Sequence, residues 1–379
     1  GEEFILNTGE GNRYILQLAM ARPDKYTRLW NRRNPDDLIS KALFESLSTT
    51  EAEKEFKYMV DAMSPIDAEF TDNTFAEGER IWNQLEKNYP ASIAAEFDFQ
   101  GSVTNDTHIR RHSDIDLLAL HGGFYCVDDG IEPTYPRPYA QSLDDLVAMR
   151  AETARILKRE FPEVHVDDGP GKSIALQGGS LRRKIDVVIG NWWNTEQWRQ
   201  YRVKMARGVR ILNSRGPTTI RNKPFWHNYE IDTKDTKTGG LRKVIRLLKT
   251  LKYDADPELS ISSYDVAALG WNMSDAALAV GEDAYLELAQ NARSELRRFI
   301  DNDIVRNALN VPNGTRKVFG ADGANLEDLK ALHRELDELI NRVESGLELE
   351  KARSGSFLTE GRLPNWKEVR PEGIRKYSY

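Results

Sequence analysis

Two short stretches leave this chain the fewest ways to fold: Ser113-Asp114-Ile115-Asp116-Leu117 and Lys184-Ile185-Asp186-Val187-Val188-Ile189. In each, apolar and mostly branched residues enclose an acid at the two-residue period of a pleated strand. A carboxylate set between such residues is rare unless a site requires it. Residues two apart on a strand point the same way, so Asp114 and Asp116 aim their carboxylates together. Like charges that close repel unless a cation sits between them. Mg²⁺ takes hard oxygen ligands, typically a few carboxylates with substrate phosphates and water. Three carboxylates are enough to hold two such ions for in-line displacement at a phosphate. Asp114, Asp116 and Asp186 are therefore the predicted catalytic and metal-ligating residues.

Upstream, Ala95 to Gln100 alternates, with Phe97 and Phe99 on one face, and Gly101–Ser102 breaks the strand. Glycine lets the backbone approach a triphosphate closely, and the Ser102 hydroxyl and amide are donors to it. Asp-x-Asp by itself is common, and Gly-Ser by itself means little. The ordered set carries the signal: strand, Gly-Ser, a helical spacer, the Asp-x-Asp strand, then a later strand with one acid.

Along the chain, Phe75, Gly78, Trp82, Leu85 and Tyr89 fall on one helical face before Pro90. A helix start is predicted at Asp36–Asp37 and a second helix over 143–161, with Ser142 as its N-cap. His121 to Gln141 carries several Gly and Pro breaks and reads as a long loop. Short strands are expected at 164–166, 173–177 and 184–189, so a β-rich core spans roughly 95–190. The second half reads as helical, with helices over 241–252, 263–271, 283–302 and 326–347. The predicted organisation is an N-terminal helical segment (1–70), a catalytic core (71–235), a helical lobe (236–350) and a polar tail (351–379).

The chain has 379 residues and a net charge of −7, unevenly spread. Between Arg199 and Lys252 fifteen Lys/Arg face three acids, a local +12 that leaves −19 for the remainder. Such asymmetry points to a polyanionic ligand, nucleotide or nucleic acid, against the plainer alternative of a solvated basic face. The single cysteine, Cys126, excludes an internal disulfide and a Cys-rich zinc site. No apolar run reaches the roughly 18 residues of a membrane span. Gly1 to Glu10 is polar and acidic, the reverse of a secretory leader. The expectation is a cytoplasmic protein. His112 and His227 have no partner at metal-binding spacing, and Trp192, Trp193 and Trp198 read as packing residues.

At these residues the chain resembles the DNA polymerase β-type nucleotidyltransferases, and within them the bacterial CD-NTases, relatives of animal cyclic GMP–AMP synthase. The resemblance rests on Gln100-Gly101-Ser102, Asn105-Asp106-Thr107-His108-Ile109-Arg110, Ser113-Asp114-Ile115-Asp116 and Gly178 to Asp186. It implies a mixed α/β, bilobal fold, with a mixed sheet in the nucleotidyltransferase lobe and a helical C-terminal lobe. It also implies nucleotide contacts from Gln100, Gly101 and Ser102, from Lys249 in Arg246-Leu247-Leu248-Lys249, and from Ser263 and Tyr264 in Ser262-Ser263-Tyr264. Read without the resemblance, Lys249 fits a surface lysine equally well, Tyr264 fits a core residue, and one of the two serines fits a helix N-cap. The implied activity is synthesis of a cyclic di- or trinucleotide messenger from NTPs in antiphage (CBASS) signalling. Two Mg²⁺ ions, replaceable by Mn²⁺, would serve it, and an operon-encoded effector would respond to the diffusible product. No nucleic acid or membrane would be required. An enzyme that modifies an RNA 3′ end, a protein or a small molecule shares the same three acids. A non-catalytic nucleotide sensor is the third reading, disfavoured by the intact acids.

Overall fold

A computed structural model describes residues 23–35, 51–128, 142–215 and 218–354. The helices are α1 (Lys25–Arg33), α2 (Glu51–Met63), α3 (Ala68–Asn88), α4 (Ser142–Glu160), α5 (Glu196–Tyr201), α6 (Pro224–Thr238), α7 (Leu241–Asp254), α8 (Ser263–Trp271), α9 (Asp275–Leu278), α10 (Tyr285–Asp301), α11 (Asp303–Ala308) and α12 (Leu326–Ser354). The strands are β1 (Glu96–Gln100), β2 (Ile115–Val127), β3 (His165–Asp167), β4 (Ile174–Gly178), β5 (Leu181–Asn194), β6 (Gly208–Asn213) and β7 (Thr218–Asn222). The helix start expected at Asp36–Asp37 and the tail after Ser354 lie outside the described residues.

Among the described residues all seven strands form one mixed sheet in the order β1-β2-β5-β4-β3, with β6 on β5 and β7 on β6. Only β2 and β5 run parallel; every other pairing is antiparallel. The long strand β5 is shared. Its first half pairs with β4 and its second half with β6. Alternation sorts the side chains. Ile115, Leu117 and Ala119 of β2, with Ile185, Val187 and Ile189 of β5, join α3 and α4 in one core. Leu118, Leu120 and Val188 point to the opposite face and meet Trp192, Val209, Ile211 and Phe225. Asp114, Asp116 and Asp186 follow the parity of this second face.

A third core is mainly helical. It runs from Leu29, Tyr58, Met59 and Met63 of α1 and α2 to Ile231 of α6, Val244 and Leu248 of α7, and on to Val343 of α12. The described N-terminal helices α1 and α2 are thus physically part of the helical lobe, because their apolar residues leave water against α7 and α12.

Three local expectations change. Residues 121–127, read as the start of a long loop, continue β2, where Tyr125 and Cys126 pair with Trp192 and Trp193 after an irregularity in register. The glycines that suggested a break serve close packing instead: a side chain at Gly122 would meet the Ala94 carbonyl at 2.2 Å. The rest of that segment, 129–141, is outside the described residues. The spacer after Gly-Ser is a series of turns rather than a helix, with Asp106 at φ 55°. The sheet also extends past residue 190 through the β6–β7 hairpin, whose interspersed Arg and polar residues hid the strand period.

Candidate active site

The site lies on the sheet face that looks toward the helical lobe. Asp116 and Asp186 stand opposite each other in the parallel β2–β5 pairing, and Asp114 precedes β2 by one residue. Neighbouring strands are about 4.8 Å apart, so the first two carboxylates share a small volume. Asp114 is the most open of the three, its carboxyl still partly withdrawn from water, whereas Asp116 and Asp186 are half-buried. Burial and the negative charges of Asp186 and Asp114 push the Asp116 carboxyl up to about 7. Asp114 is raised too, chiefly by burial, with Lys184 and Arg110 opposing the shift and Asp186 adding to it. Carboxylates this reluctant to ionise together are suited to a cation.

Two neighbours absent from the sequence expectation complete the surroundings of Asp186. The Ser173 hydroxyl donates to Asp186 Oδ1 at 2.9 Å. The Lys184 ammonium pairs with Asp186 Oδ2. The period of two would have found Lys184, since it shares its face of β5 with Asp186. A cavity of about 210 Å³ opens beside this pair and is lined also by Ser173, Gln177 and His165. Among the described residues no three His, Cys, Asp or Glu side chains are already gathered around a metal position. The Lys184 ammonium offsets one of the three negative charges. The donor set fits a hard divalent ion in kind: three carboxylates on one face of a sheet.

Gly101 adopts φ 95°, and a Cβ there would meet Asp116 Oδ2 at 2.7 Å, so this turn tolerates no side chain beside the acids. Gln100 pairs with Asp116 in register, and its amide oxygen is buried without a hydrogen-bond partner. The turn closes on itself: Thr104 N donates to Gly101 O at 3.3 Å and Thr107 N to Ser102 O at 2.9 Å.

On the helical side the outcome is mixed. Ser262 is the N-cap of α8, its Oγ accepting from Asp265 N at 3.0 Å. The cap therefore does not use Ser263, whose Oγ lies 3.5 Å from Tyr253 Oη. Tyr264 already has ring partners: it stacks on His227 at 4.9 Å between centroids, and the Arg316 guanidinium lies 5.4 Å from its centre. Lys249 departs furthest from expectation. It is neither at the surface nor open to a phosphate: its buried Nζ donates to Thr107 O and Oγ1, each at 2.9 Å. Burial and neighbouring Arg246 lower its ammonium to about 7.

The comparisons with known proteins meet this geometry. The cGAS/DncV-like nucleotidyltransferase C-terminal helical domain matches residues 229–341. The cyclic dinucleotide synthase CdnE of Yersinia aleksiciae is 36% identical over 293 residues, which are 76% of this chain and 75% of that protein. The chain belongs to the CD-NTase family. It is a nucleotidyltransferase of the kind that synthesises cyclic oligonucleotides. The fold agrees. The structure of the STING-associated CdnE c-di-GMP synthase from Capnocytophaga granulosa matches with TM-score 0.68 and 26% identity, covering 85% of this chain and 98% of that one. The corresponding enzyme from Flavobacteriaceae sp. matches with TM-score 0.70 at 23% identity, over 86% and 99%. Nucleotidyl transfer in this family uses divalent metal. Among the described residues of this CD-NTase no helix is long and apolar enough to cross a membrane.

Proposed function

We propose that this CD-NTase joins two NTPs into a cyclic dinucleotide at Asp114, Asp116 and Asp186, with the triphosphate seated on the Gly101–Ser102 turn. The observation that carries the reading is the convergence of Asp116 and Asp186 across β2–β5 beneath a glycine that admits no side chain. Two Mg²⁺ ions, or Mn²⁺ in their place, held by the three carboxylates would activate the attacking ribose hydroxyl and offset charge on the leaving pyrophosphate. The chain supplies the rest. Gly101 and Ser102 present backbone and hydroxyl donors to phosphate, and Ser263, free of the cap, adds a hydroxyl from the facing helix. Gln100, whose amide oxygen has no hydrogen-bond partner among the described residues, is positioned to bond nucleotide. Lys184 keeps Asp186 in place until cations arrive. The cavity beside Asp186 is a place for the acceptor nucleotide, which after the first bond is turned for ring closure.

The relatives' names, cyclic dinucleotide synthase and c-di-GMP synthase, favour a two-membered ring and make GTP the first substrate to test. The STING association in the name of one neighbour supports a diffusible product that acts on an effector encoded nearby. No observation here favours an RNA, protein or small-molecule acceptor. The test is incubation with each labelled NTP and with their mixture in Mg²⁺, followed by phosphatase. A phosphatase-resistant dinucleotide is expected; only linear, phosphatase-sensitive chains, or label transferred to added RNA, would reject the reading.

A further inference from the structure

Arg110 is exposed and, unlike the arginines around it, has no carboxylate within ion-pair distance among the described residues. Arg111 pairs with Asp67 at 3.0 Å, Arg246 with Asp106 at 3.2 Å, and Arg242 with Asp232 at 2.9 Å and Asp235 at 2.8 Å. Arg110 instead lies over the ring of Tyr253, in the last turn of α7, 4.7 Å from its centre. A ring holds a guanidinium by charge and shape but supplies no oxygen, so the N–H fork keeps its donors for another acceptor. The Lys252 ammonium lies 4.0 Å from the centre of the same ring, and its charge is met by Glu258 at 2.8 Å. Of these two cations at the ring, Arg110 is the one without an anion among the described residues.

The place of Arg110 is fixed from the backbone. Ser113 Oγ donates to Arg110 O at 2.7 Å, and Arg111 N donates to Arg32 O at 3.1 Å, so the turn ahead of β2 is pinned on two sides. Asp114 follows this turn directly. Burial raises the Asp114 carboxyl, and the Arg110 charge is close enough to oppose that rise, as the charge of Lys184 does. At Asp116 the opposing cation is Lys184. Arg110 therefore stands on the outer side of the acids, next to the most open of them. From there Tyr253 leads to the helices, since its Oη lies 3.5 Å from Ser263 Oγ. One stacked guanidinium thus sits between the outermost acid and the hydroxyl that the facing helix offers.

We propose that Arg110 binds the β- and γ-phosphates of the donor NTP, with Ser263 beside it, and offsets the charge of the pyrophosphate as it leaves. The proposal rests on the reading that the three acids hold the reacting phosphate and that the triphosphate runs from them toward Ser263. A guanidinium suits this end of the ligand. Its planar fork takes two oxygens of one phosphate at once, where an ammonium acts as a point charge. Contact with Tyr253 orders the long side chain before nucleotide arrives, which lowers the entropy lost on binding. Positive charge held where the leaving group becomes more negative favours the transition state as well as the bound substrate.

The test compares Kd values on the full chain for two ligands, a non-hydrolysable analogue of the NTP that the wild type consumes and the matching nucleoside monophosphate. Inhibition by inorganic pyrophosphate is measured alongside. Arg110→Gln is expected to weaken the triphosphate about tenfold or more, the usual scale for losing charge-assisted hydrogen bonds, and to leave the monophosphate within about twofold. Inhibition by pyrophosphate should weaken with the triphosphate. Arg110→Lys, which keeps the charge and loses the fork, should fall between wild type and Arg110→Gln. Equal weakening of triphosphate and monophosphate would give Arg110 to the nucleoside or to the fold and overturn the proposal. A large fall in melting temperature in both variants would make the residue structural and overturn it too. Unchanged triphosphate affinity in Arg110→Gln, with Ser102→Ala impaired, overturns the proposal alone. Unchanged affinity in both Arg110→Gln and Ser102→Ala overturns the seating of the triphosphate at this site, and the proposal with it.

Discussion

Two groups of charged residues, one on the sheet and one on the helices, are built on opposite rules. On the sheet, Asp114, Asp116 and Asp186 stand together with one ammonium among them, and burial and mutual repulsion raise the Asp116 carboxyl to about 7. On the helical side the charged groups are hydrogen-bonded, although Lys249 has no carboxylate beside it and its ammonium is lowered to about 7. Arg242, Arg246 and Lys249 each end on a carbonyl, and Asp254 of α7 receives Arg32 Nη2 at 2.7 Å and Tyr58 Oη at 2.8 Å. The difference teaches how to read charge in this protein. A frustrated cluster is held in place by the fold for a ligand to relieve, whereas a satisfied one belongs to the fold itself.

The largest effect should come from the frustrated side. Asp114→Asn with Asp116→Asn is expected to abolish nucleotide incorporation while leaving the chain folded, since these carboxylates cost rather than contribute stability without metal. The pH dependence gives the sign. A carboxyl at about 7 when folded and 3.8 when unfolded keeps a proton that the unfolded chain has lost. Metal-free stability from this group is therefore intact below about pH 4 and falls as pH rises toward 7. Asp116→Asn should remove that decline and raise metal-free stability at pH 7 by about 1 kcal/mol or more. Melting curves in EDTA from pH 5 to 7.5 check it; a variant that melts lower than the wild type at pH 7 would break the comparison.

The satisfied side should respond in stability first. Asp254→Ala leaves Arg28 and Arg32 without their buried carboxylate and is expected to cost about 3–5 kcal/mol. Urea denaturation measures this, and activity per folded molecule at low temperature should stay near wild type. A mutant that loses activity without losing stability would move Asp254 into the site.

Tyr264 tests the boundary between the two sides at a smaller scale. With its ring in contact with His227 and Arg316, Tyr264→Ala should lower stability by about 2 kcal/mol as packing is lost, and Tyr264→Phe should be nearly neutral. Normal stability with weakened NTP binding in Tyr264→Ala would instead give the ring to a base. The smallest effect concerns nucleic acid. Because the cations of α7 are already bonded, added duplex should leave product formation unchanged near physiological salt, with weak binding over a salt series. Product formed only with duplex present would show that satisfied charges elsewhere in the basic segment still bind a polyanion.

The strand parity of Asp114-Ile115-Asp116 and the lone acid of Ile185-Asp186-Val187 were legible because a period of two needs only a few residues to be seen. Lys184 was legible by the same rule, though Ser173, thirteen residues away from Asp186, was not. The helices α7 and α8 showed through their apolar stripes and the serine at the α8 start. The β6–β7 hairpin did not, because Arg210 and Arg221 interrupt its pattern; Arg210 donates to Asn191 Oδ1 and Arg221 lies over the Trp193 ring. Gly122 and Gly123 misled for a related reason: glycine marks both a turn and a close approach of two chains, and only the Ala94 carbonyl tells which.

By itself the sequence determined that three acids share one face of a sheet, that a glycine turn precedes them and that a helical half follows, since each of these depends on neighbours within a few residues. Tertiary structure decided where the charges went. A lysine on an amphipathic helix has the same local pattern whether it ends in water, on a phosphate or on a carbonyl. Lys249 meets Thr107, 142 residues away, only because the lobes pack α7 across the turn. Fifteen cations in one segment looked like a single electrostatic surface, and folding divided them among rings, carbonyls and carboxylates, because charge along a chain carries no information about direction until the chain has a shape.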